Sequence, residues 1–250
     1  MKSSRMMWVL VTVVVLTTIA ITFGTRDSRS QEKIRQAQST PTPANPFGDF
    51  SKFPTVDYDA VESLTAPELE QRRIKNKRYQ ATLDVMQNPR PDGIAIITSD
   101  GEPLPPAIPF AESRLIVIGD ILSSTARLTD GKKEIYSEYS VRIKTILKKD
   151  KQREPPLNDI ITVDRAGGAV LYPSGQKILY RNDWHKFPEV GGQYVFFLNN
   201  DDDQNPNYKI LTAYRLNNGK IIALDNHPNF KEFDGTSEKD FMDLILRKQS

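Results

Sequence analysis

The chain contains no cysteine and only two histidines among its 250 residues. The lack of cysteine excludes disulfides, thiolate zinc sites, iron–sulfur clusters, cysteine nucleophiles and a lipidated-cysteine anchor. A folded domain of this chain must therefore be held together by its apolar core. Residues A, V, I, L, M, F, W, Y and C make up 38% of the sequence, enough for one core of moderate size.

A large excess of charge of one sign is also missing. The 34 lysines and arginines nearly balance the 32 aspartates and glutamates, giving a net charge of +2. That balance does not indicate a nucleic-acid partner. The sequence has neither a phosphate-binding Gly-Lys-Ser/Thr loop nor a Gly-x-Ser-x-Gly nucleophile elbow. We therefore expect a non-enzymatic protein with no catalytic residue, no cofactor and no nucleic-acid partner.

Long apolar runs are confined to the N-terminus. The segment MMWVLVTVVVLTTIAITFG, residues 6–24, carries no charge over 19 residues and follows the basic start MKSSR. At 1.5 Å per helical residue this length suffices to cross a hydrocarbon core, and it exceeds a usual signal-peptide core. We interpret residues 1–25 as an uncleaved signal-anchor that holds the chain in a membrane. A cleaved signal, which would give a secreted protein, is the alternative.

The segment after the anchor is rich in proline, serine and threonine. Residues 26–62 include QSTPTPANPFGDF, a composition typical of a semi-extended linker. Residues 63–92 are predicted as one amphipathic helix, because Thr65 and Glu68 form a Thr-x-x-Glu capping box and Pro89 would stop it. Its basic residues suggest either a solvated face or attraction to anionic lipid; they are Arg72, Arg73, Lys75, Lys77 and Arg78.

From residue 93 the pattern changes to strands. YSEYSVRIKTILK alternates apolar and polar residues, as in a strand with one buried face. GGQYVFFLNN is nearly continuous in apolar residues, as in a strand buried on both faces. Gly119 can allow a bulge, and the Asn-Asn-Gly at 217–219 predicts a hairpin. Residues 93–235 are predicted as a β-barrel domain, and residues 236–250 as a C-terminal helix packed on it.

The order LIVIGDI, YSEYSVRIKTILK, IITVDRAGG, VGGQYVFFL resembles the netrin-module and tissue-inhibitor type of OB-like β-barrel. It also resembles uncharacterised bacterial exported or membrane-anchored proteins with one such domain. The resemblance covers roughly residues 112–225 and implies a mainly β, antiparallel, OB-like barrel. The inhibitors chelate a protease metal through an N-terminal cysteine. This chain has no cysteine, so the resemblance does not extend to that activity.

Two Asp-x-His pairs are the candidates for a chemical site. Asp183 precedes His185 by two residues, and Asp225 precedes His227 in the same way. Residues two apart in extended chain point to the same side, so each pair could present a carboxylate and an imidazole together. Brought together, the pairs would suit a divalent metal or acid–base chemistry. We keep a metal-dependent, hydrolase-like site as the alternative function, although ordinary loop residues explain both motifs without a metal.

A binding groove is a further alternative. The first hairpin is rich in lysine and arginine, with Tyr136 and Tyr139 interleaved. On an OB-like barrel such residues could form a stacking groove for oligosaccharides or single-stranded nucleic acid. That reading requires both tyrosines to lie on an open surface. Our leading hypothesis remains a membrane-anchored β-barrel, located in the periplasm or at the cell surface, that contacts a protein or envelope partner.

Overall fold

The structure, a computed structural model, describes residues 50–79, 93–96, 104–153, 155–200, 205 and 207–248. The predicted signal-anchor lies outside these residues, as do Pro89 and most of the predicted linker. Among the described residues, no helix combines the length and apolarity needed to cross a membrane. In chain order the elements of this part are β1 Thr55–Asp57, α1 Ala66–Tyr79, β2 Ile94–Ile96, β3 Leu115–Leu128, β4 Ile135–Lys148, β5 Ile160–Ala166, β6 Gly168–Leu171, β7 Lys177–Arg181, β8 Gln193–Asn199, β9 Tyr208–Asn217, β10 Lys220–Ala223, α2 Pro228–Lys231 and α3 Glu238–Arg247.

Five strands form a nearly closed ring. β3 pairs with β4 and β8, β4 continues to β5, and β8 continues to β9, all antiparallel. β5 and β9 close the ring through a short parallel contact at Val163–Tyr208 and Asp164–Lys209. β10 extends the sheet beside β9. The mainly β prediction is therefore confirmed, and closure removes most exposed sheet edges.

Two turn and bulge predictions are also confirmed. The β3–β4 register shifts at Gly119, where an added Cβ would lie 2.4 Å from Val141 Cγ1. Only glycine allows the two strands to approach this closely. At the β9–β10 hairpin, Asn218 and Gly219 both adopt positive φ, at 53° and 78°. This is the backbone geometry that tight two-residue hairpins require.

A second sheet lies beside the ring, in the order β1-β6-β7-β2. β6 and β7 form an antiparallel hairpin, and β1 and β2 pair in parallel with its two outer edges. The sequence led us to expect β2, β6 and β7 within a single barrel. The chain leaves the ring at Gly167, whose φ of +99° and close approach to Tyr180 O exclude a side chain. β1 and the buried Phe50 lie in the stretch predicted as linker and here pack with the folded domain.

The core has three parts. The ring interior contains Val117, Tyr139 and Phe196, all fully buried. A second cluster joins the outside of β8 and β9 to α3, and a third lies between the second sheet and the end of the β3–β4 hairpin. Alternate residues of β8 point to opposite sides, so β8 contributes side chains to both of the first two clusters. This explains the apolar run at its five central positions, all of which are buried.

The C-terminal helix packs on the sheet as predicted. Ser237 caps α3 by accepting a hydrogen bond from the Asp240 N–H at 3.1 Å. Phe241 and Ile245 are fully buried in the second cluster, beside Tyr214. A capped helix with one apolar face is the arrangement that the sequence of residues 236–250 indicated.

Candidate functional site

Helix α1 lies against the outer face of the ring, and the glutamate half of a capping box forms at its start. Glu68 Oε2 accepts hydrogen bonds from the Thr65 N–H at 2.8 Å and from its hydroxyl at 2.7 Å. These bonds lower the pKa of Glu68. Pro67 occupies the first turn, where a missing N–H costs nothing. The start of this helix is therefore specified by residues within its first turn. Residues 80–92 of the predicted helix lie outside the described residues.

The basic residues of α1 do not form one solvated face. Arg72 Nη1 lies 2.6 Å from Glu62, Lys75 Nζ lies 2.5 Å from Glu138, and Arg78 Nη1 lies 2.9 Å from Asp164. Arg73 and Lys77, by contrast, are exposed. Three of the five cations thus bind acidic residues outside the helix, which corrects both the solvated-face and the lipid-binding interpretations for those three.

Asp164 on β5 is the centre of these contacts. It is fully buried and accepts from Arg78 Nη1 with both carboxylate oxygens, at 2.9 and 3.0 Å. The Tyr79 hydroxyl also donates to it. Burial raises the pKa of Asp164, while the charge of Arg78 and the hydrogen bond from Tyr79 act in the opposite direction. A buried carboxylate with this many donors is strongly oriented, and it fixes the end of α1 on the ring.

The tyrosines expected to line a groove are buried. Tyr139 is 0% exposed inside the ring, and Tyr136 is 1% exposed on the outer face. Tyr79 covers Tyr136, with ring centroids 4.8 Å apart and planes 4° from parallel. The prediction that Tyr136 and Tyr139 lie on an open surface is therefore wrong. The stacking partner of Tyr136 in this structure is the chain's own helix.

We call Tyr136, Glu138 and Asp164 the docking face. In the β4–β5 register Glu138 lies directly opposite Asp164, and the same side of the sheet continues through Ser140–Thr162 and Arg142–Ile160. None of the described contacts of α1 reaches these last two pairs. Arg142 is exposed, and Ile160 is 51% exposed. The outer face of β4 and β5 thus has a helix-covered half and an uncovered half, which we call the open face.

The two Asp-x-His segments lie next to each other. The Asn226 N–H donates to Trp184 O at 2.8 Å, and the rings of Trp184 and His227 meet at 5.0 Å in an edge-to-face contact. Asp183 is exposed, whereas His185 is partly buried. His227 Nδ1 accepts from the Asn229 N–H at 3.3 Å and caps α2. The proximity of the segments is the geometry that the metal hypothesis needs, but the side chains of Asp225 and His227 have other partners.

Asp225 in particular is engaged by protein donors. Its Oδ1 accepts from Arg165 at 2.7 Å and from the Lys186 N–H at 3.1 Å, and its Oδ2 accepts from Arg165 at 3.0 Å and from Thr212 at 2.9 Å. These four hydrogen bonds occupy the acceptor sites of the two carboxylate oxygens. Across the part of the chain that the structure describes, no three His, Asp or Glu side chains are grouped to hold a metal. The hydrolase alternative stays a prediction: the two segments are close together, but the partners of Asp225 leave it poorly suited to hold a metal.

His185 sits beside this ion pair in an environment that disfavours its charged form. Burial, reinforced by the positive charge of Arg165, lowers the pKa of His185 to about 4. The nearby carboxylate of Asp225 opposes this shift only in part. The imidazole is therefore neutral at physiological pH.

The sequence offered one unused signal for both buried ion pairs. Asp164 and Arg165 are adjacent charges in the middle of the apolar strand ITVDRA, and because neighbours on a strand point to opposite sides, both sides of β5 receive a buried charge. Buried charges require partners, so this dipeptide indicated two ion-pair sites.

Comparison with protein-family models, with curated proteins and with solved structures finds no match for this chain.

Proposed function

We propose that this protein is a non-enzymatic, membrane-anchored domain that acts outside the cytoplasm by binding a protein or envelope partner through the outer face of β4 and β5. The observation that carries the proposal is the open face. It presents the exposed Ile160 beside the cationic Arg142, with Leu157 59% exposed just before β5. An apolar residue with an arginine at its rim is a common arrangement in protein interfaces.

We further propose that the ring is an OB-like barrel. The support is its strand order: the first ring strand pairs with the second and the fourth, and the last closes in parallel on the third. OB-like barrels use the face of their second and third strands for binding. In this chain those strands are β4 and β5, so the open face lies where such barrels bind.

The location rests on the sequence of residues 1–62. An uncharged run of 19 residues suits a membrane span, and a proline-rich segment of the length that follows it would hold the domain at a distance from the bilayer. We place the domain in the periplasm or at the cell surface. Protease added to intact cells or spheroplasts is expected to digest the domain, and protection until the membrane is broken would place it in the cytoplasm.

The binding proposal is tested by crosslinking capture from intact cells. Ile160→Asp puts a charge on the open face, and we expect it to abolish capture of the protein that the wild-type chain binds. Ile222→Asp is the matched control, since Ile222 is a similarly exposed isoleucine on β10. Equal capture by wild type and Ile160→Asp, or equal loss with Ile222→Asp, would contradict the role of the open face.

A further inference from the structure

The docking face carries two carboxylates that face each other across neighbouring strands. Glu138 on β4 is paired in register with Asp164 on β5, and the side chains are 15% and 0% exposed. Like charges directly opposite one another destabilise a sheet. Partial burial strengthens that repulsion, because the dielectric screening of water is reduced. Arg127 on β3 lies 3.2 Å from Glu138 and supplies part of the positive charge, whereas the cation that binds Asp164 comes from α1. Asp164 therefore requires a bound group that supplies positive charge.

Helix α1 supplies that charge through the tips of long side chains. Lys75 binds Glu138, and Arg78 binds Asp164 and also donates to Asn200 Oδ1 and Asn207 O. A cavity of about 120 Å³, lined by Arg72, Lys75, Glu138 and their neighbours, remains between the helix and the β3–β4 hairpin. Apart from the stacked rings of Tyr79 and Tyr136, the contact is thus made mainly by polar groups.

Two further features distinguish this contact from a core helix packing. Asn76 is 1% exposed, and neither its amide oxygen nor its amide nitrogen has a hydrogen-bond partner. Leu69, which is 54% exposed, lies on the outside of the helix. A buried amide without partners costs free energy, and an exposed leucine contributes little. The α1 interface therefore resembles a transient protein–protein contact more than a part of the core.

We propose that the docking face is an exchangeable receptor for a basic helix, occupied by α1 in the free protein and by a helix of the partner in the complex. The pattern that this face recognises is read from its present occupant. Two cations three residues apart reach Glu138 and Asp164, and an aromatic residue directly after the second stacks on Tyr136, as Lys75, Arg78 and Tyr79 do. The claim that a cellular partner supplies such a helix rests on the proposed function. The claim that the docking face binds a basic helix, which we call the receptor property, does not.

The receptor property is tested with a labelled synthetic peptide of residues 64–79 and the full-length protein in detergent. We expect fluorescence anisotropy to show saturable binding of this peptide. A peptide with Lys75→Gln and Arg78→Gln should bind about tenfold more weakly or worse, since both cation–carboxylate contacts are lost. A peptide with Arg73→Gln and Lys77→Gln is the matched control. It loses the same charge from the exposed side of the helix and should bind like the wild-type peptide.

Displacement is read by hydrogen exchange in the same samples. Bound peptide should speed amide exchange in the protein's own α1 and leave the amides of β4 protected. No binding at any concentration would overturn the proposal, and so would equal binding of the two charge-matched peptides. Binding with unchanged exchange in α1 would overturn displacement and place the peptide elsewhere. Because no cellular partner is involved, a failed capture experiment with the open-face variant leaves these results intact.

Discussion

The ring interior and the α1 interface are held by opposite kinds of contact. Inside the ring, Tyr139, Phe196 and their neighbours are fully buried and stabilise the fold by removing apolar area from water, at roughly 25 cal/mol per Å². At the α1 interface, one pair of stacked tyrosines is accompanied by three cation–carboxylate pairs, and the net stability from such pairs is small because desolvation offsets attraction. The comparison implies that α1 opens separately, below the free energy of global unfolding.

The largest effect is expected inside the ring. Phe196→Ala removes a fully buried aromatic side chain that the surrounding strands cannot replace. We expect the free energy of unfolding to fall by about 3–5 kcal/mol. Urea denaturation of the full chain measures this change, and Ile222→Ala on the exposed side of β10 should shift it by less than about 0.5 kcal/mol. A small effect at Phe196 would mean that the ring is not the main source of stability.

The buried ion pair between Arg165 and Asp225 is expected to affect the free energy of global unfolding, as the ring interior does. Asp225→Asn leaves Arg165, which is 2% exposed, without a counter-charge. We expect a loss of about 3 kcal/mol in unfolding free energy. The double variant Arg165→Met, Asp225→Asn removes the uncompensated charge and should recover part of that loss. Failure of the double variant to recover stability would show that the hydrogen bonds to Thr212 and Lys186 matter more than the charge.

His185 gives this region a pH dependence. Its pKa is about 4 in the folded chain and near 6.5 when unfolded, so the unfolded state binds more protons between these values. The stability contributed by neutral His185 is complete above about pH 6.5 and is lost as the pH falls through about 4. Between pH 7 and pH 5 we expect a loss of about 2 kcal/mol. His185→Gln should remove this slope, and an unchanged slope in that variant would assign it to other groups.

The elements that the sequence predicted are those specified by neighbouring residues. The Asn218-Gly219 hairpin, the Gly119 bulge and the Thr65–Glu68 contact at the start of α1 each depend on backbone sterics or on bonds within a few residues. Such signals are present in any short window of sequence. For the same reason β8 was predicted correctly as a strand buried on both faces.

The contacts that the sequence did not predict join distant segments. Arg78 meets Asp164 across 86 residues, and Arg165 meets Asp225 across 60. Nothing in the periodicity of α1 shows which of its cations face the ring, because basic residues lie on both sides of it. The role of Gly167 in carrying the chain out of the ring likewise depends on the distant residues Tyr180 and Phe187, which lie against it. Local conformation could be predicted from the sequence, whereas the contacts between side chains that are distant along the chain could not.

The smallest expected effect tests most directly whether α1 opens separately from the ring. Thr65→Ala removes the capping hydroxyl of α1 but touches neither the docking face nor the ring. If α1 opens as a separate unit, its amides should exchange about fivefold faster, as expected for the loss of one cap. The amides of β3 and β4 and the global unfolding free energy should be unchanged. Thr236→Ala, an intermediate-exposure threonine next to α3, is the matched control and should leave α1 exchange unaltered. Equal acceleration in α1 and β4 would instead show that the helix and the ring unfold together, despite the difference in how they are held.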